Sequence, residues 1–438
     1  MDDRTPDRPG QWPMWQRIAF RFFFVYLLLQ IAPWNWLGTV PLVSTLGDAW
    51  FAGVDVAVRW ANAHLFHVRD TLVLPNGSGD TSWAWTQLWL YLSLAAVSCI
   101  AWSIADRRRT EYQTASYWLR TIVRFYIANF ALGYGIIKLF ALQMSFPSLS
   151  QLATPLGDFL PMRLSWMFIG YSTRYQVFSG VMETVAGLLL LYRPTVTLGL
   201  FAATGAFINV VMINLSYDVP VKLFASHLLL ACVFLLLWDA RRLTTFLVLN
   251  RAASGTNAYD PPFTRRWQHQ LRWVAKAAFV LLFLILPLRD SYRRWYAQAH
   301  EPPSRPFAAG VYDVRRFVVN GDTVPPLVSD SLRWRDVIID NAGGGSVGSR
   351  DSVFWQRYRR GYFRYKADTV RHTVAVWKTN TAFDSTYLFD MRYELPDTNA
   401  IRFWAKIRRD SVYVDLVRSN RHFQLAERQF HWLSEYNR

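Results

Sequence analysis

Long apolar runs separated by short polar connections fill the first two thirds of the chain. A helix needs roughly 20 mostly apolar residues to cross a bilayer. Seven runs come near this length and predict spanning helices over 18–31, 83–105, 119–142, 175–192, 196–215, 221–238 and 271–288. Residues 46–67 also repeat apolar positions at helical spacing, but Asp48, Asp55 and Arg59 interrupt them, which is typical of an interfacial helix. The pattern therefore predicts a polytopic α-helical membrane bundle.

From Val311 onwards the apolar period changes to two, which predicts antiparallel strands. One predicted strand face holds Tyr387, Phe389, Met391 and Tyr393. The following strands carry Ile401, Phe403, Ala405 and Ile407, then Val412, Val414 and Leu416. Asn320-Gly321 is a hairpin-type dipeptide. We therefore expect residues 311–438 to form a small antiparallel all-β domain, either a barrel or a sandwich.

Two features of this strand-rich region carry predictions of their own. The three successive glycines Gly343 to Gly345 favour no fixed conformation and indicate a mobile loop. Arg357, Arg359 and Arg360 indicate a solvated strand face. The domain scheme that results is a tail over 1–17, a membrane domain over 18–288, a linker over 289–310 and the β domain.

The net charge of +17 comes from basic residues in both halves of the chain. Such a spread disfavours a nucleic-acid patch and suits a surface beside anionic lipid. The two cysteines, Cys99 and Cys232, lie in apolar runs without a CxxC pattern, so we predict neither a disulfide framework nor a metal site.

Arginines are concentrated in alternate connections between the predicted spans. One set of connections holds Arg107, Arg108, Arg109, Arg120, Arg193, Arg241, Arg242, Arg251, Arg265 and Arg266. The opposite set is poorer in Lys and Arg, which predicts a cytoplasmic N-terminus. Seven crossings would then place the β domain outside, as expected for a protein of the bacterial inner membrane with a periplasmic or extracellular domain.

Several ionisable or amide residues interrupt the apolar runs between residues 120 and 240. They are Lys138, Glu183, Asn209, Asn214, Asp218, Lys222 and His227. An ionised group in hydrocarbon costs about 2.5–3.5 kcal/mol on insertion scales, so such residues normally face a protein interior or a wet cavity. Counted along their helices, they fall in the outer half of the bilayer, which predicts one outward-facing cavity.

Glu183 lies between Gly180 and Gly187, a thin helix face that lets a neighbouring helix approach the carboxylate. We expect a buried ion pair with Lys138 or Lys222. The pair and the two asparagines either lock helices together or form a functional site, and the sequence leaves both open. His227 either relays a proton or only hydrogen-bonds. Asp218, before Pro220, is interpreted as an N-cap.

Two short motifs resemble those of known membrane proteins. They are Tyr134-Gly135-Ile136-Ile137-Lys138-Leu139-Phe140 and Phe178-Ser179-Gly180-Val181-Met182-Glu183, the second followed by Gly187. Over about residues 119–240 the chain resembles the DoxX-like superfamily of small helix bundles. Its Gly-x-x-Lys-Leu element is also similar to that of HTTM proteins, the relatives of the vitamin K-dependent carboxylase.

The resemblance implies membrane redox chemistry or an HTTM-like lyase reaction, with Lys138 as a base acting on a reduced quinone and a strand-rich external domain. Our leading hypothesis is a quinone, or a similar lipid-soluble cofactor, held around Lys138 and Glu183 with His227. Asn209, Asn214, Asp218 and Lys222 would position its head group. The alternative is a non-catalytic scaffold or a lipid- or cargo-binding protein whose β domain does the recognition.

Overall fold

The computed structural model describes residues 11–37, 41–253, 265–300, 306–327, 332–341, 343–350, 358–379, 385–428 and 430–435. The chain divides into two compact units. The helical unit comprises the chain up to Gln143 together with Arg174–Tyr292, and the barrel unit comprises Met144–Thr173 and Arg293–Arg438. Segment 144–173 therefore belongs with the C-terminal domain, whereas the sequence pattern assigned it to the membrane domain.

The helical unit is built from long helices with short connections. Their bounds are α1 Met14–Ile31, α2 Pro41–Ala61, α3 Ser82–Ala105 and α4 Gln113–Leu139. The barrel unit then contributes α5 Leu149–Leu152 and α6 Pro161–Tyr171. The helical unit continues with α7 Thr173–Leu191, α8 Val196–Ser216, α9 Lys222–Trp238, α10 Ala240–Leu243, α11 Arg266–Val280 and α12 Leu286–Ala299, of which the residues from Arg293 onwards belong to the barrel unit. The π turns Asn62–Phe66, Thr244–Val248 and Leu281–Ile285 prolong α2 and α10 and join α11 to α12. The predicted linker thus begins inside α12, and its residues 301–305 lie outside the described residues.

The prediction of seven spanning helices is wrong within the described part of the chain. Five helices are long and apolar enough to cross a membrane: Met14–Trp36, Ser82–Ala105, Gln113–Leu139, Arg193–Ser216 and Arg266–Ala299. α9 becomes a sixth only together with residues 240–248, across a bend of 74°. α7 forms as a 19-residue helix, but Arg174, Gln176 and Glu183 lower its mean hydropathy below that of the five.

α4 lies at the centre of the helical unit. Half of its most apolar window is buried, more than in any other of the five helices. Leu119, Val123, Ile127 and Ile136 are fully buried. Leu119, Val123 and Ile127 follow at intervals of four on one face, and Ile136 lies on the opposite face, so α4 packs against neighbours on more than one side. Because lipid tails are as apolar as leucine, this packing stabilises the unit mainly through close contact.

The barrel unit is a closed antiparallel barrel of eight strands, which resolves the choice between barrel and sandwich. The strands are β1 Gly310–Val319, β2 Asp322–Thr323, β3 Asp336–Ile339, β4 Gly344–Gly348, β5 Gly361–Asp368, β6 Thr373–Thr379, β7 Ser385–Asp397, β8 Ala400–Ile407 and β9 Asp410–Arg418. From β3 to β9 each strand pairs with the next, and β1 pairs with both β3 and β9. The short β2 only folds back on β1 through Asn320 and Gly321, both at positive φ, which confirms the predicted hairpin turn. A short helix, α13 Gln424–Glu427, follows β9.

Alternate strand residues fill the barrel. Phe389, Met391, Tyr393, Phe403 and Leu416 are buried, as the period-two pattern predicts. Tyr387 departs from that pattern and is 53% exposed, because the register of β7 against β6 shifts between Val376 and Trp377. A void of only about 20 Å³ remains among the aromatic side chains, roughly enough for one water molecule.

The glycines predicted to form a mobile loop lie in and beside β4 instead. A Cβ at Gly345 would contact the backbone oxygen of Ile338, and one at Gly348 would lie 2.6 Å from the carboxylate of Asp336. These glycines therefore allow neighbouring groups to approach closely. The solvated face predicted for the arginines is wrong for Arg360, which is buried, whereas Arg359 is exposed and Arg357 lies outside the described residues.

Candidate functional site

The predicted ion pair is present between Lys138, at the end of α4, and Glu183, in the middle of α7. Lys138 Nζ lies 2.5 Å from Glu183 Oε1. The two side chains are 8% and 3% exposed. Each charge on its own would be costly in this environment, so each stabilises the other. Of the two lysines proposed as partners, Glu183 pairs with Lys138.

Glycines bring α4 and α7 close enough for this contact. A Cβ at Gly180 would lie 2.7 Å from the backbone nitrogen of Leu139 and 2.8 Å from Lys138 Cβ. A Cβ at Gly187 would lie 2.7 Å from Leu132, and one at Gly135 would meet Thr184. The thin helix face predicted from Gly180 and Gly187 is confirmed, and Gly135 on the partner helix contributes to the same approach.

The ion pair leaves hydrogen-bonding groups without partners. Glu183 Oε2 is buried and has no hydrogen-bond partner among the described residues. The Lys138 ammonium, which has three N–H donors, makes one described hydrogen bond. Thr184 Oγ1, next along α7, is also buried and without a partner in the described part of the chain. The pair therefore presents both a spare donor and a spare acceptor.

His227 takes part in a second buried polar contact. Its Nδ1 lies 2.6 Å from the carbonyl oxygen of Leu223, and its Nε2 lies 2.5 Å from the Tyr26 hydroxyl. A carbonyl only accepts, so Nδ1 carries the proton and the neutral ring accepts at Nε2 from the tyrosine. This arrangement joins α9 to α1 and matches the simple hydrogen-bonding interpretation of His227.

The two asparagines have different environments. Asn214 is buried, its Nδ2 donates to the Val221 carbonyl at 3.4 Å, and its backbone carbonyl accepts from the Val219 amide. It therefore stabilises the turn between α8 and α9. Asn209 is exposed on the surface of the helical unit. Its side chain is not brought to the buried ion pair, because its position on α8 faces away from the core.

The structure corrects the prediction that Asp218 caps α9. Asp218 is exposed at positive φ and forms an ion pair of 2.7 Å with Lys222. The cap is Asp80, from the loop before α3, whose two carboxylate oxygens accept from the backbone amides of Lys222 and Leu223 at 2.8 and 2.9 Å. Asp218 and Lys222 thus belong to a partly exposed surface pair rather than to the buried site.

Sequence reasoning missed three polar residues of the helical unit. Asp80 was hidden in a loop, and its role depends on a helix 142 residues later. Tyr26 looked like one more apolar aromatic. Arg21, which lies within the apolar run 18–31, is buried and donates to the hydroxyl groups of Tyr112 and Ser103. Only the scarcity of arginine in apolar runs could have signalled the last one.

Comparisons with known proteins give a narrow result. No family model matches the sequence, and no solved structure matches it. A curated protein, the uncharacterized protein YwoB of Bacillus subtilis (strain 168), is 35% identical over 79 residues, which make up 18% of this chain. The chain spans about half the length of that relative, 51%.

Among the described residues, no group of three His, Cys, Asp or Glu side chains is arranged to hold a metal ion.

Proposed function

We propose that the helical unit binds a quinone, or a similar lipid-soluble cofactor, at the Lys138–Glu183 pair and exchanges a proton with it. The observation that carries the proposal is the buried carboxylate oxygen of Glu183 that has no described partner. Buried polar atoms are nearly always hydrogen-bonded, and exceptions call for an explanation such as a ligand. A bound quinone would supply two-electron chemistry coupled to protons.

The chemistry of the pair suits this task. Lys138 retains N–H groups that can donate to a carbonyl oxygen, and Glu183 Oε2 can accept from a hydroxyl group. Transfer of one proton from Lys138 Nζ to Glu183 Oε1, which lie 2.5 Å apart, leaves a neutral amine and a neutral acid. The Nζ lone pair then acts as a base. Burial lowers the free-energy cost of this transfer from the ion pair, because the neutral form leaves no charge in a poor solvent.

The site is simpler than the sequence predicted. Lys138 and Glu183 form its centre, and His227 and Asn214 support neighbouring helices through their own hydrogen bonds. Asn209, Asp218 and Lys222 are left out of the proposal because they lie at exposed or partly exposed positions. The HTTM-like lyase reaction remains a proposal of lower rank, since it needs a reduced quinone at the same pair.

The barrel unit contains two separate segments of the chain, and this supports one membrane topology. Residues 144–173 and 293–438 form one compact unit, so we place both on one side of the membrane. The chain must then cross an even number of times between them. Three helices that are long and apolar enough to cross, α1, α3 and α4, precede residue 144. An odd number of crossings therefore places the barrel opposite the N-terminus, in the periplasm or outside the cell. A reporter fused after Arg438 that is active only in the cytoplasm would contradict this.

A second candidate function is that of a scaffold whose buried pair only locks helices together. The close approach of α4 and α7 at Gly135, Gly180 and Gly187 favours it, because ion pairs also serve to fix helix packing. In that case a pair of apolar side chains of similar size should replace Lys138 and Glu183 without loss of function.

The test is mass spectrometry of lipids extracted from the purified full-length protein. Wild type should retain about one quinone per chain, and Glu183→Gln and Lys138→Met/Glu183→Met should lose it while remaining folded. Lys276→Met removes a lysine from α11 and serves as the matched control, which should retain quinone. Equal amounts of quinone in wild type and the double variant, or none in wild type, would favour the scaffold.

A further inference from the structure

A large cavity of the helical unit involves none of the residues predicted for the site. It has a volume of about 920 Å³ and is bounded by α4, by the turn Arg193–Thr195 that leads into α8, and by the end of α9 with the bent segment after it. Ligand pockets usually measure about 300–1,000 Å³, so this one has room for a head group with part of its attached chains.

Arginines dominate the charge of this cavity. Arg120, Arg124, Arg193 and Arg242 line it, together with one acidic residue, Asp239. Arg242 already donates to Asp239 Oδ2 at 2.8 Å and to Thr197 Oγ1 at 2.9 Å. The single carboxylate is therefore engaged, and the cavity keeps an excess of positive charge.

Arg120 and Arg124 occupy one face of α4, one helical turn apart. The guanidinium of Arg120 lies 5.1 Å from the centre of the Trp238 ring, and that of Arg124 lies 4.8 Å from the Phe125 ring. Arg120 Nε donates to the Ser116 carbonyl at 3.4 Å, and Arg124 Nε is buried without a described hydrogen-bond partner. Aromatic stacking thus orients two guanidinium groups whose N–H donors are not all used.

One wall of the cavity is apolar. Leu198, Phe201, Phe246 and Leu247 line it, and they are 61%, 42%, 62% and 57% exposed. The last two lie on the segment that follows the bend of 74° after α9. A charged end and an uncovered apolar wall within one cavity match a molecule that carries an anionic head on a hydrocarbon chain.

We propose that this cavity binds the phosphate group of an anionic lipid, with the lipid chains along the apolar wall. Guanidinium groups form paired hydrogen bonds with phosphate oxygens. Because the cavity holds few carboxylates, N–H groups of Arg120 and Arg124 remain available for a phosphate. The cavity lies at the end of the bundle where α4 and α8 begin and α9 ends, the end that the arginine-rich connections assign to the cytoplasm. Anionic lipids are abundant in that leaflet.

The test compares binding of three probes to the full-length protein in detergent by native mass spectrometry: 1-palmitoyl-2-oleoyl-phosphatidylglycerol, the corresponding phosphatidylcholine, and inorganic phosphate. Wild type should bind one phosphatidylglycerol at least tenfold more tightly than phosphatidylcholine. Arg120→Gln/Arg124→Gln should weaken that binding at least tenfold. Arg107→Gln/Arg108→Gln, which removes the same charge from exposed residues before α4, should bind as wild type does.

Other results would overturn the proposal. Equal weakening in both double variants would mean that net charge alone attracts the lipid. Displacement of the lipid by inorganic phosphate at equal concentration would mean a site for free phosphate. If the cavity variant does not fold, Thr121→Trp fills the cavity with its arginines intact. That variant should also lose at least tenfold in affinity, and wild-type binding by it would exclude the cavity.

Discussion

Each of the two units buries a pair of opposite charges, but the two pairs differ in how fully they are satisfied. In the barrel unit, Arg360 contacts Asp336 at 2.5 Å, with the side chains 5% and 19% exposed. Its Nε also donates to Ser346 Oγ at 2.8 Å. In the helical unit, Lys138 and Glu183 make a single contact, and one oxygen of Glu183 has no described partner.

The barrel pair continues into a chain of hydrogen bonds. Ser346 donates to Ser150 Oγ at 2.7 Å, and Ser150 donates to Asp340 at 2.5 Å. Every hydroxyl in this chain both accepts and donates, so each bond strengthens the next. The chain attaches α5, in segment 144–173, to β3 and β4 within the barrel unit.

The difference separates a structural network from a candidate site. A network in which each group has its partner gains nothing from a ligand, and it fixes one arrangement of the chain. A pair with a spare donor and a spare acceptor gains hydrogen bonds when a suitable molecule binds. The Arg360 network is therefore interpreted as structural, and the proposed function is placed at the Lys138–Glu183 pair.

The largest effect that we expect comes from removing one member of the helical pair. Lys138→Met should lower the free energy of unfolding by about 3–5 kcal/mol, because it leaves Glu183 buried and without a counter-charge. Lys138→Met/Glu183→Met should recover most of that loss, since two apolar side chains need no partner. Equilibrium unfolding in mixed detergent micelles measures both. A double variant as unstable as the single one would show that the pair is needed for packing itself.

A smaller effect should follow from opening the barrel network. Arg360→Met should lower local stability by about 1.5–3 kcal/mol, because hydrogen bonds to charged groups are lost. Arg359→Met is the matched control: its ion pair with Asp158 measures 3.1 Å, and the arginine is 61% exposed. That change should lower stability by about 0–1 kcal/mol. Hydrogen exchange of the β4 amides in the full-length protein measures both, and equal effects would contradict the assignment.

The class of each unit followed from periodicity. Apolar runs predicted the helices, and alternation predicted the strands of β7, β8 and β9, because both depend on neighbouring residues alone. Span number did not follow, since the run over 175–192 was counted by its length although Gln176 and Glu183 lower its hydropathy. The bend after α9 was not visible in the apolar pattern. The membership of segment 144–173 in the barrel unit was also hidden, because the Ser150–Asp340 contact joins residues 190 positions apart.

The candidate site was predictable only where the spacing of residues along one helix indicated a close neighbouring helix. Gly180 and Gly187 flank Glu183 at helical spacing, so a close partner helix was expected and Lys138 was found there. Asn209 was grouped with Lys138 and Glu183 only because of its predicted depth in the bilayer. Depth does not indicate whether a side chain points towards the core or away from it. The arginine-lined cavity escaped notice because Arg120, Arg193 and Arg242 were interpreted one by one as topology signals and Arg124 was not singled out.

The smallest effect tests Asp80, which accepts from two backbone amides and also lies 3.6 Å from Lys222 Nζ. Asp80→Ala should lower stability by about 0.5–2 kcal/mol, because the amides of Lys222 and Leu223 lose their acceptors at the beginning of α9. Asp218→Asn keeps a residue that tolerates positive φ and removes only an exposed charge, so it should cost about 0.3–0.5 kcal/mol. Hydrogen exchange at the Lys222 and Leu223 amides should be faster in the Asp80 variant alone. Faster exchange in both variants would mean that the surface pair of Asp218 and Lys222, and not Asp80, holds the beginning of this helix.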